Sequence, residues 1–350
     1  TEEGVRVPRG ADQDPRNGGQ WGFSLHWYVE RLDTEFGLFA ANYHSRSPYL
    51  GTVSSRYYAN TGFARELCGN VGVALANCGA FLASSNGQTL AGALRMGTSR
   101  YQAQYPEDIR LYGLTFATTL RNGTAVQGEV SYRPNMPVQL NGNDVLQSLL
   151  NAPGRSPLNA DGLRPATDST PFDGYRRKQV TQAQVSAVQA FSQVMGANQL
   201  LLMGEVGATY VGGLEGRFGA RYGRSGAYGN GELADNSLCL AISKSPGDCN
   251  GEGFVTPFSW GYRLRATWSY PNLVQGLDIR PSLAWAHDVK GYSPADGSAF
   301  NEGSRSISLG VDVSLATQYW ASLAYTDYLD GDYGTRGDRD YVAFSVGANF

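Results

Sequence analysis

The chain has 350 residues, a net charge of −3 and 45 glycines, and 17% of its residues are charged, below the roughly 25% of ordinary globular proteins. No run of about 18 apolar residues occurs, which excludes a transmembrane helix, and the near-neutral charge without a basic stripe gives no reason to expect a nucleic-acid partner. The lack of such a run does not exclude a membrane β-barrel, whose sequence signal is alternation spread over many short segments.

Alternation of apolar and polar residues recurs in short segments along the chain. In Trp21–Glu30 the odd positions are apolar and the even positions are small or polar, which is the period of a β-strand. Asn122–Gly123 is a strong hairpin signal between two such segments. The pattern predicts eleven strands, at 21–30, 36–43, 109–120, 125–133, 179–193, 200–211, 261–270, 277–289, 304–316, 320–329 and 341–350.

The connections between the predicted strands alternate between short and long. Those after odd-numbered strands are tight turns, and those after even-numbered strands are longer, including the loops 44–99, 134–175 and 212–257. Short turns at one end of a sheet and long loops at the other are typical of outer-membrane β-barrels. Within the loops, Val71–Ala83 and Asp144–Leu150 are predicted to contain short helices.

The final segment, Tyr341–Phe350, also favours a barrel. Its apolar face suits a closing strand, which in lipid must leave no unpaired edge. The fold class predicted for residues 1–350 is therefore all-β: one antiparallel transmembrane β-barrel of the outer membrane with short periplasmic turns, long extracellular loops and a periplasmic C-terminus. Because such barrels have an even strand count, we expect an odd number of N-terminal strands to be missing ahead of Thr1.

A soluble β-sandwich is the alternative at the level of the fold. In a sandwich the apolar faces would form a core, whereas in a membrane barrel they would meet lipid. The apolar faces run for about five residues per strand, as crossing a thin apolar layer requires. Aromatic residues also cluster near strand ends, for example Trp268, Tyr270 and Trp320, which is typical of membrane interfaces.

The four cysteines form two close pairs in loop segments. Cys68 lies near Cys78, and Cys239 lies near Cys249, which directly follows Asp248. Local disulfides in an oxidising compartment are the simpler prediction. A zinc site is the alternative, although neither pair has the Cys-x-x-Cys spacing or a nearby histidine.

Three stretches carry a resemblance to a known family. Tyr43–Tyr49, Tyr105–Leu120 and Gly128–Leu140 resemble the bacterial outer-membrane family catalogued as domain of unknown function 1302. The resemblance implies a channel or transporter for a hydrophobic or amphipathic small molecule. It also implies a periplasmic lipid-carrier-like protein and an inner-membrane transporter of the resistance–nodulation–division (RND) type as partners. No functional residue and no cofactor follow from it.

The polar faces of the predicted strands carry charges of both signs. These charges either compensate one another in a polar lumen or select a permeant. The candidate permeant-contacting residues are Glu129, Arg133, Glu205, Arg263, Arg265, Arg280 and Asp312, and His26, Glu30, Asp278 and Asp288 share their predicted face. Because Arg263, Arg265 and Arg280 lie on adjacent predicted strands, they form the best candidate for attracting an anion.

Other functions stay open. A general diffusion porin would need an open, wet and charged channel. An outer-membrane enzyme would need a nucleophile near His26, His44 or His287, but no Gly-x-Ser-x-Gly motif is present, so we expect no enzyme. The apolar residues of Val71–Ala83 and Val145–Leu150 are predicted to form either an ordinary loop core or a constriction of the lumen.

Overall fold

The computed structural model describes residues 6–59, 62–152, 154–160, 162, 163, 165, 167–243, 245–294, 300–316 and 318–349. Phe350, at the end of the predicted closing strand, lies outside the described residues. The strands are β1 (Trp21–Val29), β2 (Thr34–Tyr43), β3 (Tyr49–Val53), β4 (Arg100–Gln104), β5 (Ile109–Thr119), β6 (Ala125–Gln139), β7 (Pro171–Phe172), β8 (Tyr175–Ser192), β9 (Gln199–Gly212), β10 (Phe258–Val274), β11 (Leu277–Lys290), β12 (Arg305–Leu315), β13 (Tyr319–Leu329) and β14 (Tyr341–Ala348).

Eleven of these strands form one antiparallel sheet, in the order β1-β2-β5-β6-β8-β9-β10-β11-β12-β13-β14. They correspond to the eleven predicted strands, because successive side chains of a strand point to opposite faces and the residues of each segment therefore alternate. The predicted hairpins β8–β9, β10–β11 and β12–β13 are confirmed. The first and last strands, β1 and β14, form the two edges of the described sheet.

Several predicted strand boundaries are wrong: β8 begins at Tyr175 and not at 179, β10 spans Phe258–Val274 and not 261–270, and the largest shift is in β6. The strand β6 continues beyond Arg133 to Gln139, so the long connection starts after Gln139 and not at Pro134. The pairing of β6 with β8 shifts its register between Arg133 and Met136. Such an irregularity accommodates Pro134, which has no amide hydrogen to donate, and allows the strand to continue.

The two ends of the sheet differ. Five short turns, at 30–33, 120–124, 193–198, 275–276 and 316–318, lie at one end, and longer connections, at 44–108, 140–174, 213–257, 291–304 and 330–340, lie at the other. In the turn predicted from Asn122–Gly123, Gly123 has a φ of +82° and donates its N–H to the carbonyl of Leu120 at 2.8 Å. We call the five longer connections together the loop cap.

The loop cap contains a second, small sheet. It has the order β4-β3-β7 and is antiparallel. The segment before β1 runs parallel to β4 through bridges from Arg9 to Tyr101 and from Gln13 to Gln104. The Arg16 guanidinium then binds the Asp108 carboxylate at 2.6 and 2.8 Å.

The helices of the described residues all lie in the loop cap. They are α1 (Phe63–Asn70), α2 (Cys78–Ala83), α3 (Ser85–Thr98), α4 (Gly142–Ser148), α5 (Pro157–Ala160) and α6 (Asn236–Ile242). The helix predicted within Val71–Ala83 corresponds only to α2 and a preceding 3₁₀ turn. No single described helix is long and apolar enough to cross a membrane, although Ala64–Asn70 and Leu75–Ala83, bent by 118° to each other, satisfy those criteria together.

The helix predicted near Asp144 is confirmed as α4. It starts two residues earlier than expected, because the side chain of Asn141 accepts the N–H of Asp144 at 3.1 Å and caps the helix. Val145 of this helix and Leu149, which directly follows it, are fully buried. The cap core that contains Val145 also includes Val138, Leu140, Leu158, Phe172, Val180, Val211, Ala220, Tyr222 and Val255.

The two apolar loop segments therefore differ. Residues 145–150 contribute to an ordinary loop core. In Val71–Ala83, Val71 is 41% exposed and Leu75 is 61% exposed.

Disulfides join Cys68 to Cys78 and Cys239 to Cys249, as predicted, and leave no free thiolate for the alternative of a zinc site.

Candidate functional site on the polar face of the sheet

One face of the eleven-stranded sheet is apolar and open. Leu309 in β12 is 54% exposed, and Phe344 in β14 is 68% exposed. The register places the apolar side chains of neighbouring strands side by side, as in the row Leu25, Leu38, Leu114 and Val130. Other exposed members of this face are Trp21, Phe23, Val185, Val206, Leu264, Leu283, Leu323, Val342 and Val346. These side chains form a continuous apolar surface that no described element covers.

The opposite face, which we call the polar face, carries the candidate site residues. Because successive side chains of a strand point to opposite faces, the register assigns Glu129, Arg133, Glu205, Arg263, Arg265, Arg280 and Asp312 to it. Between them lie mostly glycine, alanine, serine, threonine and glutamine. Glu30 departs from the prediction, because it begins a 3₁₀ turn and is not part of a strand.

Three of the candidate residues line one pocket. The Cα atoms of Glu205 and Arg263 are cross-strand partners, and Arg265 follows two residues along β10. The pocket has a volume of about 370 Å³. Small residues of the neighbouring strands, among them Ser186, Ala284, Ala286, Ser306 and Ser308, complete its lining. We call it the sheet pocket. The small residues leave its centre open.

The two arginines of the sheet pocket differ in their partners. Arg263 binds the buried Asp288 carboxylate through Nη2 at 2.5 Å and the carbonyl of His287 through Nη1 at 3.3 Å. Arg265 is exposed and faces Met203 on β9 and Ala284 on β11. Among the described residues, neither Arg265 nor Glu205 forms an ion pair. Arg265 is therefore the cation of this pocket that is available to a ligand.

Arg280 does not join this pocket. It lies four residues from Ala284 along β11, which at 3.3 Å per residue is about 13 Å. Its cross-strand partner is Asp312 on β12. The predicted cluster of three arginines is thus two arginines in one pocket and a third at a distance, opposite a carboxylate.

The remaining candidates lie on the side of the polar face nearer β1. Glu129 lines a second pocket of about 260 Å³ together with His26 and Glu35. In it, Nδ1 of His26 lies 2.9 Å from Oε1 of Glu35. Arg133 donates from Nη1 to Oε1 of Gln182 at 2.6 Å, so it is held by a neighbouring strand. Glu129 is exposed.

His287 and Asp288 point to opposite faces, as alternation predicts. The His287 ring lies on the apolar face, 5.6 Å from the ring of Tyr262 and 6.3 Å from that of Trp285. Asp288 faces Arg263 on the polar face. These neighbours therefore do not form the base–orienter pair that an enzyme would need.

Sequence reasoning missed one side chain of the polar face. Phe300, from the connection 291–304, is buried over the face, and its ring lies 5.9 Å from the Arg263 guanidinium. No local pattern marks it, because its position depends on how a long connection folds back. Its only sequence signal is that it is an aromatic residue within a polar segment.

The sequence of the whole chain matches one known protein family. A family model described as "Protein of unknown function (DUF1302)" matches residues 1–350. A search of curated proteins gives no match. Among solved structures, the crystal structure of the β domain of the Bordetella autotransporter BrkA matches with 12% identity and a TM-score of 0.27, over 93% of this chain and 86% of that one. A TM-score this low supports no further inference.

Proposed function

We propose a transport function for this chain, which belongs to the family described as "Protein of unknown function (DUF1302)". In this proposal the sheet is part of an outer-membrane β-barrel whose polar face lines the lumen, and the barrel carries an amphipathic small molecule. The proposal involves no catalytic step and no cofactor. In lipid both sheet edges must be paired, so it requires that β1 and β14 close against each other or against further strands.

The observation that carries the proposal is the contrast between the two faces. Soluble proteins rarely leave a large continuous apolar surface in water. Here one face has exposed apolar side chains in all eleven strands, whereas the opposite face, which carries the pockets, is polar. A sandwich would require the reverse, with the apolar face buried in a core. A membrane barrel accounts for both faces, because lipid contacts the first and water the second.

The sheet pocket supports an amphipathic anion as the transported molecule. Arg265 provides a guanidinium that can donate two parallel hydrogen bonds to a carboxylate or phosphate. Its cross-strand neighbour Met203 provides an apolar, adaptable contact beside the charge. Ser306 and Ser308 line the other side of the pocket and can bind polar groups. A molecule with an acidic head and an apolar body matches this combination.

Substitution of Arg265 tests this proposal. In proteoliposomes, Arg265→Gln should lower the flux of octanoate about tenfold, which corresponds to the loss of about 1.4 kcal/mol from a charge-assisted hydrogen bond. The flux of a neutral sugar should change little. Arg280→Gln is the matched control, because Arg280 lies on the same face but outside the pocket. Equal losses for both variants, or none for either, would contradict an anion site at Arg265.

A general diffusion porin is the second candidate. The small, polar lining and the exposed charges of both signs favour it. Conductance in a planar bilayer separates the two, since a porin gives steady ohmic steps and shows no saturation with octanoate. A selective transporter gives small or no steps and a flux that saturates.

The orientation and the partners are part of the proposal. We place the short turns and the C-terminus in the periplasm and the loop cap outside the cell. A periplasmic lipid-carrier-like protein and an RND-type transporter would then meet the short turns, where Met195 is 77% exposed. A photo-crosslinker in place of Met195 should capture such a partner in cells, whereas one in place of Leu240 in the loop cap should not.

A further inference from the structure

Phe300 covers a platform of two glycines on the polar face. Gly207 on β9 and Gly261 on β10 are cross-strand partners. A Cβ atom added to Gly207 would lie 3.2 Å from Cζ of Phe300, and one added to Gly261 would lie 3.0 Å from its Cδ1. The ring therefore packs tightly on both glycines and is 7% exposed, and an added Cβ at Gly261 would also clash with the carbonyl oxygen of His287 at 2.5 Å.

Residues 301–304, which follow the ring, are fastened to the sheet through Asp288. Oδ1 of Asp288 accepts from Arg263 at 2.5 Å, and Oδ2 accepts from the N–H of Asn301 at 3.0 Å. The backbone of Asp288 also exchanges hydrogen bonds of 2.9 Å with Ser304 and Gly303. Ser293 Oγ accepts the N–H of Phe300 at 3.0 Å. The backbone at Phe300 is thus held by Ser293, which precedes it in the chain, and by the bonds of Asp288 to the residues that follow it.

Phe300 lies between two cavities. On the side of the loop cap, a pocket of about 280 Å³ is lined by Phe300 and Asn301, and also by Tyr292, Tyr333 and Arg224. We call it the cap pocket. On the other side, Arg263 belongs to the lining of the sheet pocket and lies 5.9 Å from the Phe300 ring. Phe300 therefore borders the cap pocket and lies next to an arginine that lines the sheet pocket.

We propose that Phe300 sets the size limit for solutes that pass between the cap pocket and the sheet pocket. A solute moves past only when the ring leaves the Gly207–Gly261 platform, and the Asp288 bonds keep the backbone in place while it does so. This inference rests on the proposed function, since it assumes that the polar face lines a lumen. The inference assigns the selection of solutes by size to Phe300, which lies in a connection between strands, and not to the charged residues of the strands.

Thiol labelling in cells tests this role. A cysteine in place of Ala286 reports on the sheet pocket, and a membrane-impermeant maleimide supplies the solute from outside. Phe300→Ala should speed the labelling of Ala286→Cys about tenfold, as a barrier lower by about 1.4 kcal/mol would. Phe300→Trp should slow it. The matched control is Phe254→Ala, which also removes a buried aromatic ring from the loop cap but does not touch the platform, and it should leave the rate unchanged.

A cysteine in place of Ala234, which is exposed in the loop cap, distinguishes a failure of the role proposed for Phe300 from a failure of the proposed orientation. Rapid labelling of Ala234→Cys together with equal labelling of Ala286→Cys in all three Phe300 backgrounds would overturn the inference alone. No labelling of Ala234→Cys in intact cells would overturn the proposed orientation and the inference with it. Acceleration by Phe254→Ala equal to that by Phe300→Ala would also overturn the inference, because general loosening of the cap would then explain both.

Discussion

The loop cap and the polar face contain the same types of charged residue but use them in opposite ways. In the cap, Asp144 and Arg221 are buried and joined by hydrogen bonds of 2.7 and 3.0 Å. On the polar face, Glu205 and Arg265 are exposed, and neither forms an ion pair within the described residues. The difference separates charges that hold the fold together from charges that are available to a solute.

The buried charges of the cap show why pairing is needed there. Burial raises the pKa of Asp144, and the Arg221 guanidinium opposes this effect. Burial also lowers the pKa of Arg224, which lies between the rings of Phe254 and Tyr333 and donates to several backbone carbonyls. A charge away from water is tolerated only with such partners. An exposed charge has no such requirement, because water solvates it, so Glu205 and Arg265 can remain without an ion pair on the polar face.

The largest expected effect comes from breaking the buried pair. Asp144→Asn leaves Arg221 buried without a counter-charge and should lower the free energy of unfolding of the loop cap by about 3–5 kcal/mol. Protection of the cap against protease in increasing denaturant measures this change. Glu205→Gln on the polar face is the control and should cost less than about 0.5 kcal/mol. Equal costs for the two variants would remove the distinction between the regions.

Loss of a cap disulfide should have the next largest effect. Replacing Cys239 and Cys249 by serine opens a link between residues ten positions apart, which should cost about 2–3 kcal/mol of cap stability. The same protease assay measures this cost. The octanoate flux that depends on Arg265 should be kept at temperatures where the cap stays folded. A flux that falls in parallel with cap stability would show that the two regions do not act separately.

The smallest effect is expected where the cap meets the sheet, at the exposed pair of Arg16 and Asp108. The hydrogen bonds from Arg16 and then from Asn42 hold the pKa of Asp108 below its usual range. Its contribution is therefore complete above the unfolded-state pKa of roughly 3.9 and is lost as the pH falls through the lower folded-state value. The mobility of a nitroxide spin label in place of Gln13 should increase as the pH falls below the unfolded-state pKa of Asp108. Arg16→Gln should produce the same increase at neutral pH.

The sheet could be predicted from sequence because its signal is local. Each strand shows its period within about ten residues, and Asn122–Gly123 marks its turn directly. The position of side chains along neighbouring strands is not local. Arg280 lies on the strand next to Arg265, as expected, but the register places it about 13 Å from the row of Arg265.

The loop cap could be predicted only in part. The helix α4 can be predicted because it carries an amphipathic pattern and begins after a capping asparagine. The helix α3 was missed, because Ser85–Thr98 contains glycine, threonine and no regular apolar stripe. Phe300 and the partners of Asp144 depend on contacts between connections that are far apart in the chain, and these leave no periodic signal.

The most direct test of the account asks which face of the sheet meets lipid. Leu309 and Ser308 are neighbours in β12 and point to opposite faces. A nitroxide spin label in place of Leu309, in protein reconstituted into bilayers, should be accessible to oxygen, which dissolves in lipid, and protected from a water-soluble nickel chelate. A label in place of Ser308 should show the reverse. Exposure of the Leu309 label to the chelate, or protection of that label from both reagents, would contradict a lipid-facing apolar surface.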